Sequence, residues 1–187
     1  MVFSTLARPR SLLVVVDAQE RLLPAIRNHN RLIERIRLLA DLTRTLGLPT
    51  LVTEHCPDRI GRTDRRLKDL TANGEIFKKV HFDACRSETF LDYVKATDRD
   101  QWVVTGTEAH ICVLQTALSL IDHGSVFVVA DAVGTRHQGD LSTALQRLRD
   151  AGAQIVSTEM VAFEWLGRAD HPAFRETLAR IKQLEPW

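Results

Sequence analysis

Short apolar runs alternate with stretches of helical periodicity along almost the whole chain, and that alternation limits the folds open to it. The runs are 12–16, 49–53, 76–80, 102–106, 126–130 and 154–157, each the length of one strand. Between them lie helical patterns over 29–46, 87–96, 113–121 and 140–151, and two more follow at 159–166 and 172–184. In the first, Leu32, Ile33, Ile36, Leu39, Leu42 and Leu46 form one apolar stripe, and Gly47 stops it. Strands alternating with helices predict βαβ units. The expected fold is α/β, a three-layer sandwich with a mostly parallel six-stranded sheet and helices on both faces. With 187 residues the chain reads as a single domain over 1–187.

Charge and cysteine usage exclude several function classes. The chain has 25 basic and 24 acidic side chains, for a net +1 with His neutral. Arg62, Arg65, Arg66 and Lys68 are interrupted by Asp64 and Asp69, which reads as a solvated helix face and not a nucleic-acid stripe. No apolar run reaches the roughly 18 residues a membrane span needs, and residues 1–10 lack the apolar centre of a signal peptide. Cys56, Cys85 and Cys112 are odd in number and widely spaced, a pattern of a reducing cytoplasm and not of a disulfide framework.

In a parallel sheet, ligands bind beyond the carboxyl ends of the strands, near a topological switch point. The polar residues at those ends are Asp17, Glu54, Lys79, the stretch Thr107 to Cys112, and Asp131. An acid, an amine and a thiol therefore collect at one edge. A thiol at a helix start, close to an ammonium, is drawn toward the thiolate that attacks carbonyl carbon. Lowering its pKa by two units corresponds to about 2.7 kcal/mol. Lys79 would supply the positive charge and Asp17 would accept the proton. Each residue also has a plainer role: a buried packing cysteine, a capping aspartate, a solvated lysine. Lys78 and Lys79 point to opposite sides of a strand, so only one can face the pocket. His110 reads as a surface turn residue. Glu108-x-His110-x-Cys112 matches no zinc spacing and has no second Cys/His cluster beside it.

Val-Val-Val-Asp17-Ala-Gln19, then Lys79-Val-His-Phe82, then Val-Thr-Gly106-Thr107-Glu108-Ala109-His110-Ile111-Cys112-Val113 resemble the isochorismatase-like cysteine hydrolases, in that order. The resemblance covers about residues 11–160 and includes Val129-Ala130-Asp131-Ala132. It implies a Rossmann-like topology with Asp17, Lys79 and Cys112 as catalytic triad, and it selects Lys79 over Lys78 through the Lys-x-x-Phe pattern. It also implies a cis peptide at Thr107–Glu108 and an oxyanion hole made by the Glu108 and Cys112 amides. Gln19, Phe82 and Thr107 would line the substrate pocket. The implied activity is hydrolysis of a small amide, carbamoyl or related C–N substrate through a covalent Cys112 intermediate. Family members usually form dimers, tetramers or larger homo-oligomers. The expected partner is a small-molecule substrate, with no nucleic acid, no membrane and no cofactor.

Departures from the pattern narrow the expectation. Nicotinamidases of this superfamily carry an Asp-x-His metal motif after the second strand. Here that stretch is Thr53-Glu54-His55-Cys56-Pro57, so no metal site is expected and His55 reads as a loop residue. Together with Gly61 and Thr63 it looks closer to the isochorismatase-domain subgroup, whose substrates are largely unassigned. Two further readings are a non-catalytic interaction member of the fold and an isochorismate-type ether hydrolase. An aspartyl-phosphate phosphatase would want a carboxylate where Gln19 stands. A dinucleotide-binding module would want Gly-x-Gly-x-x-Gly after a strand. Phe163, Trp165, Leu166 and Phe174 either pack on the chain's own sheet or form a subunit contact.

Overall fold

The computed structural model describes residues 5–73 and 75–185. Strand β1 (Ser11–Val16) is buried along its whole length. It pairs in parallel with β2 (Thr50–His55) on one side and β4 (Gln101–Thr107) on the other. With β3 (Glu75–Lys79), β5 (Ser125–Gly134) and β6 (Gln154–Val156), the strands order as β3-β2-β1-β4-β5-β6, every pair parallel. Burial on both faces accounts for the unbroken Leu-Leu-Val-Val-Val of β1, which shows no polar alternation.

Leu13 and Val15 of β1 turn to one face, where they pack under α1 (His29–Leu46), α7 (Thr158–Leu166) and α8 (Phe174–Ile181). Leu12, Val14 and Val16 turn to the other. There they meet α4 (Glu88–Ala96), α5 (Leu114–Leu120) and α6 (Gln138–Asp150). The result is three layers, with helices on both sides of the sheet. Trp165 and Leu166 are buried on the α1 face, and Phe163 and Phe174 pack against it. The chain's own sheet is thus what these C-terminal apolar residues cover.

The β2–β3 connection carries α2 (Pro57–Ile60), which the sequence did not indicate, and α3 (Lys68–Asn73), of which the helix face read from Arg62 to Asp69 reached only the first residues. Four and six residues are too few to display a 3.6-residue period. Strand β5 runs four residues beyond its expected end, so Asp131 is not at the edge with Asp17. Its carboxylate instead meets the Arg35 guanidinium at 3.0 Å and accepts from the Thr158 N–H and hydroxyl at 2.8 and 3.0 Å. Asp131 therefore joins β5 to α1 and α7. Among the described residues, no helix is long and apolar enough to cross a membrane.

Chain direction about β1 creates the switch point. The chain leaves β1 toward β2 and β3, then crosses back to β4 on the far side. The crevice between the β1 and β4 ends is held tight by Gly106 (φ +113°), since a Cβ there would sit 2.0 Å from the Val16 carbonyl oxygen. No residue with a side chain fits that approach.

Candidate active site

Asp17 is the first residue past β1 and is fully buried in the left-handed region, with φ +46°. The turn is stitched from three sides. The Asp17 N–H donates to the Thr53 carbonyl at 3.1 Å, and the Thr107 hydroxyl donates to the Asp17 carbonyl at 2.6 Å. The Thr53 hydroxyl donates to Oδ1 at 2.7 Å. Lys79, the last residue of β3, brings its Nζ to Oδ2 at 2.6 Å. The same ammonium donates to the His81 and Phe82 carbonyls, both at 3.2 Å. All three of its protons are thereby used, which is what a buried ammonium requires. Strand alternation sends Lys78 to solvent.

Cys112 lies in a π-helical turn, Ala109–Val113, that runs directly into α5. The sequence placed the helix start at Val113, four residues too late. The Glu108 carbonyl accepts from the Ile111 and Val113 amides at 3.0 and 3.2 Å. The Thr107–Glu108 peptide is cis.

The Cys112 thiol is buried and interacts with both Asp17 and Lys79. Burial is the main cause that pushes it up to about 12, Asp17 pushes the same way, and Lys79 opposes them. This overturns the expected depression of its pKa. Lys79 is already neutralised by Asp17, so little net positive charge remains to offset the desolvation of a thiolate. The resting arrangement is a neutral thiol beside an ion pair. Cys85 is also pushed up to about 12 by burial.

The other expected site residues divide. Gln19 is fully buried, and its amide is fully engaged. Nε2 donates to the His55 and Gly61 carbonyls at 3.0 and 2.6 Å, while Oε1 accepts from the His55 N–H at 2.8 Å. It clamps the β2 end and the loop beyond it, and it does not form a pocket wall. Thr107 is likewise buried and holds the Asp17 turn. Phe82 is half exposed, its ring 5.3 Å from that of His55. His55 is the last residue of β2 and not a loop residue; burial and the Lys79 charge lower its pKa. His110 is half-buried and not a surface residue. It lies 3.8 Å from both the Glu108 and Asp140 carboxylates, and Arg136 also reaches Glu108, at 3.1 Å. Glu54 accepts from the Thr63 N–H and hydroxyl at 2.8 and 2.9 Å. Sequence reasoning missed Thr53; its only trace is the register that sets it opposite Val16, one residue before Asp17.

A cavity of about 680 Å³ opens at the carboxyl ends of β2 and β3, and Cys56, Lys79, Val80 and His81 are among its walls. Such a volume suits one small molecule.

A six-stranded parallel sheet of this order, covered by helices on both faces, defines a three-layer α/β fold, and its relatives narrow it further. The family model described as the isochorismatase domain matches residues 11–160. The chain is 30% identical over 179 residues to isochorismatase family protein 1B of Dictyostelium discoideum, covering 92% of this chain and 86% of that one. The solved MAR1 ribonuclease of Caenorhabditis elegans superimposes with a TM-score of 0.91 at 34% identity, over 98% of this chain and 95% of that one. The YcaC gene product of Escherichia coli, an octameric hydrolase of unknown specificity, superimposes with a TM-score of 0.86 at 27% identity. That match covers 99% of this chain and all of the other. The chain belongs to the isochorismatase family.

Proposed function

We propose that the protein is a cysteine hydrolase of a small amide, carbamoyl or related C–N substrate, with Asp17, Lys79 and Cys112 as its catalytic triad. The observation that carries this reading is the buried Asp17–Lys79 pair interacting with the Cys112 thiol. Cys112 gives its proton to Asp17 as Sγ bonds to the carbonyl carbon. The charge thereby passes from the carboxylate through the sulfur, where Lys79 pairs with it, to the carbonyl oxygen of the substrate. No net charge enters the buried site, so a thiol with a raised pKa is no obstacle to attack. The Glu108 and Cys112 amides hold the oxyanion of the tetrahedral intermediate. Collapse breaks the C–N bond, and the leaving amine takes the proton from Asp17. Water then cleaves the thioester, returning the acid product and the thiol.

Three free cysteines fit a reducing cytoplasm. The E. coli octamer and the exposed Val80 and Phe82 support assembly into a homo-oligomer. The ribonuclease description stays with the C. elegans protein.

The test is a panel of primary amides, carbamoyl compounds and isochorismate, scored by released ammonia or pyruvate. With the substrate so found, Cys112→Ala lowers kcat by about 10³-fold or more. Full turnover by that variant would overturn the reading.

A further inference from the structure

The cavity at the β2 and β3 ends holds more charge than the proposed chemistry uses. Arg59, Lys78 and Arg86 line it, all three exposed, against a single carboxylate, Asp58. None of the three side chains has a hydrogen-bond or ion-pair partner among the described residues. Other exposed arginines do meet acids: Arg10 faces Asp100, Arg66 faces Asp64, and Arg136 faces Glu108. The cations come from two separate pieces of chain. Arg59 stands in α2, while Lys78 and Arg86 lie on either side of the Val80–His81 turn.

This cavity adjoins the triad. Its wall residue Cys56 donates its N–H to the Lys79 carbonyl at 2.9 Å, and Lys79 joins the two sites, lining the cavity while its almost unexposed side chain turns inward to Asp17. We propose that the cavity receives the substrate through a negatively charged group, a carboxylate or phosphate, held by Arg59, Lys78 and Arg86. This rests on the reading of Cys112 as nucleophile and names the substrate class it serves: a small anion bearing the scissile C–N bond. Three like charges around one concave opening raise the local concentration of an anion and its rate of entry. The Asp17–Lys79 pair is neutral as a unit, so the field at the mouth comes from these three groups and Asp58.

The test needs no substrate. Iodoacetate and iodoacetamide alkylate a thiol by the same displacement, forming the S–C bond as iodide leaves, and differ in one negative charge. Their rates are measured at each cysteine by peptide mass spectrometry, in the native protein and in the Arg59→Gln/Lys78→Gln/Arg86→Gln variant. The iodoacetate-to-iodoacetamide ratio at Cys112 is expected to fall about tenfold in the variant. In the native protein it falls as salt rises from about 20 to about 500 mM. A ratio unchanged within about twofold across both comparisons overturns the proposal. Should the variant fail to fold, the salt dependence of the native ratio decides alone. Should Cys112 resist both reagents, as a buried neutral thiol does, the nucleophile reading is decided by Cys112→Ala in the substrate panel. The ratio at Cys56, on the cavity wall, then decides whether the cavity selects anions.

Discussion

Asp17 and Lys79 carry opposite charges at almost no exposure, and removing either partner exposes how much the other depends on it. Lys79→Met leaves a buried carboxylate without its cation and is expected to destabilise the fold by about 3–5 kcal/mol in urea unfolding. Adding Asp17→Asn to that variant recovers much of the loss; if the double variant is no more stable than the single, the pair is not the source. Thr53→Val removes the hydroxyl that Oδ1 accepts from, at an expected cost of about 1–3 kcal/mol by the same measurement. At this scale the acid, amine and thiol were legible as polar residues closing apolar runs. Choosing Lys79 over its neighbour took the family resemblance, because alternation alone says only that one of the two faces in. The raised thiol was not legible. It depends on Lys79 being already neutralised, and a sequence does not display which charges cancel.

Two glycines with positive φ answer to different constraints, and the elements they serve predict different outcomes. At Gly47, the C-cap of α1, φ is +69° and a Cβ would meet nothing within 4 Å. Gly47→Ala therefore pays only backbone strain, about 1 kcal/mol in the unfolding free energy. Gly106→Ala adds a collision with the Val16 carbonyl to its strain, so it is expected to cost well over 3 kcal/mol or abolish folding. Equal costs at the two sites, read by thermal unfolding, would contradict the close approach of β1 and β4. Strands were legible to within a residue or two, except at β5. Its continuation through Asp131 was hidden because a polar residue inside a long strand reads like its end. The π-helical turn at Ala109–Val113 was also hidden, since a single wide turn leaves no periodic trace.

Over the whole molecule, the alternation of strand and helix made the parallel sheet legible, but periodicity has no memory of spatial order. The sequence 3-2-1-4-5-6 is set by which faces find cover. The pair of buried thiols makes a prediction at this scale. Folded, Cys85 and Cys112 keep their protons until about pH 12, whereas an unfolded cysteine releases its proton near 8.5. Their contribution to stability is complete below about 8.5 and is lost as the pH climbs toward 12. The unfolded chain then binds two fewer protons, so this contribution falls by about 2.7 kcal/mol per pH unit. Urea unfolding from mildly to strongly alkaline conditions should show that slope, roughly halved in Cys112→Ala. An unchanged slope in the variant would place the thiol in water.

Lys79 rides on β3, the outermost strand, which hydrogen-bonds to β2 alone and leaves three of its five side chains exposed. Peripheral strands fray before central ones. A molecule whose β3 has peeled back retains five strands and both helical layers, yet its ammonium has left the carboxylate. Mild denaturant should accordingly silence turnover while the far-ultraviolet circular dichroism is still native, and deuterium should enter the Phe77–Lys79 amides long before those of Val14–Val16.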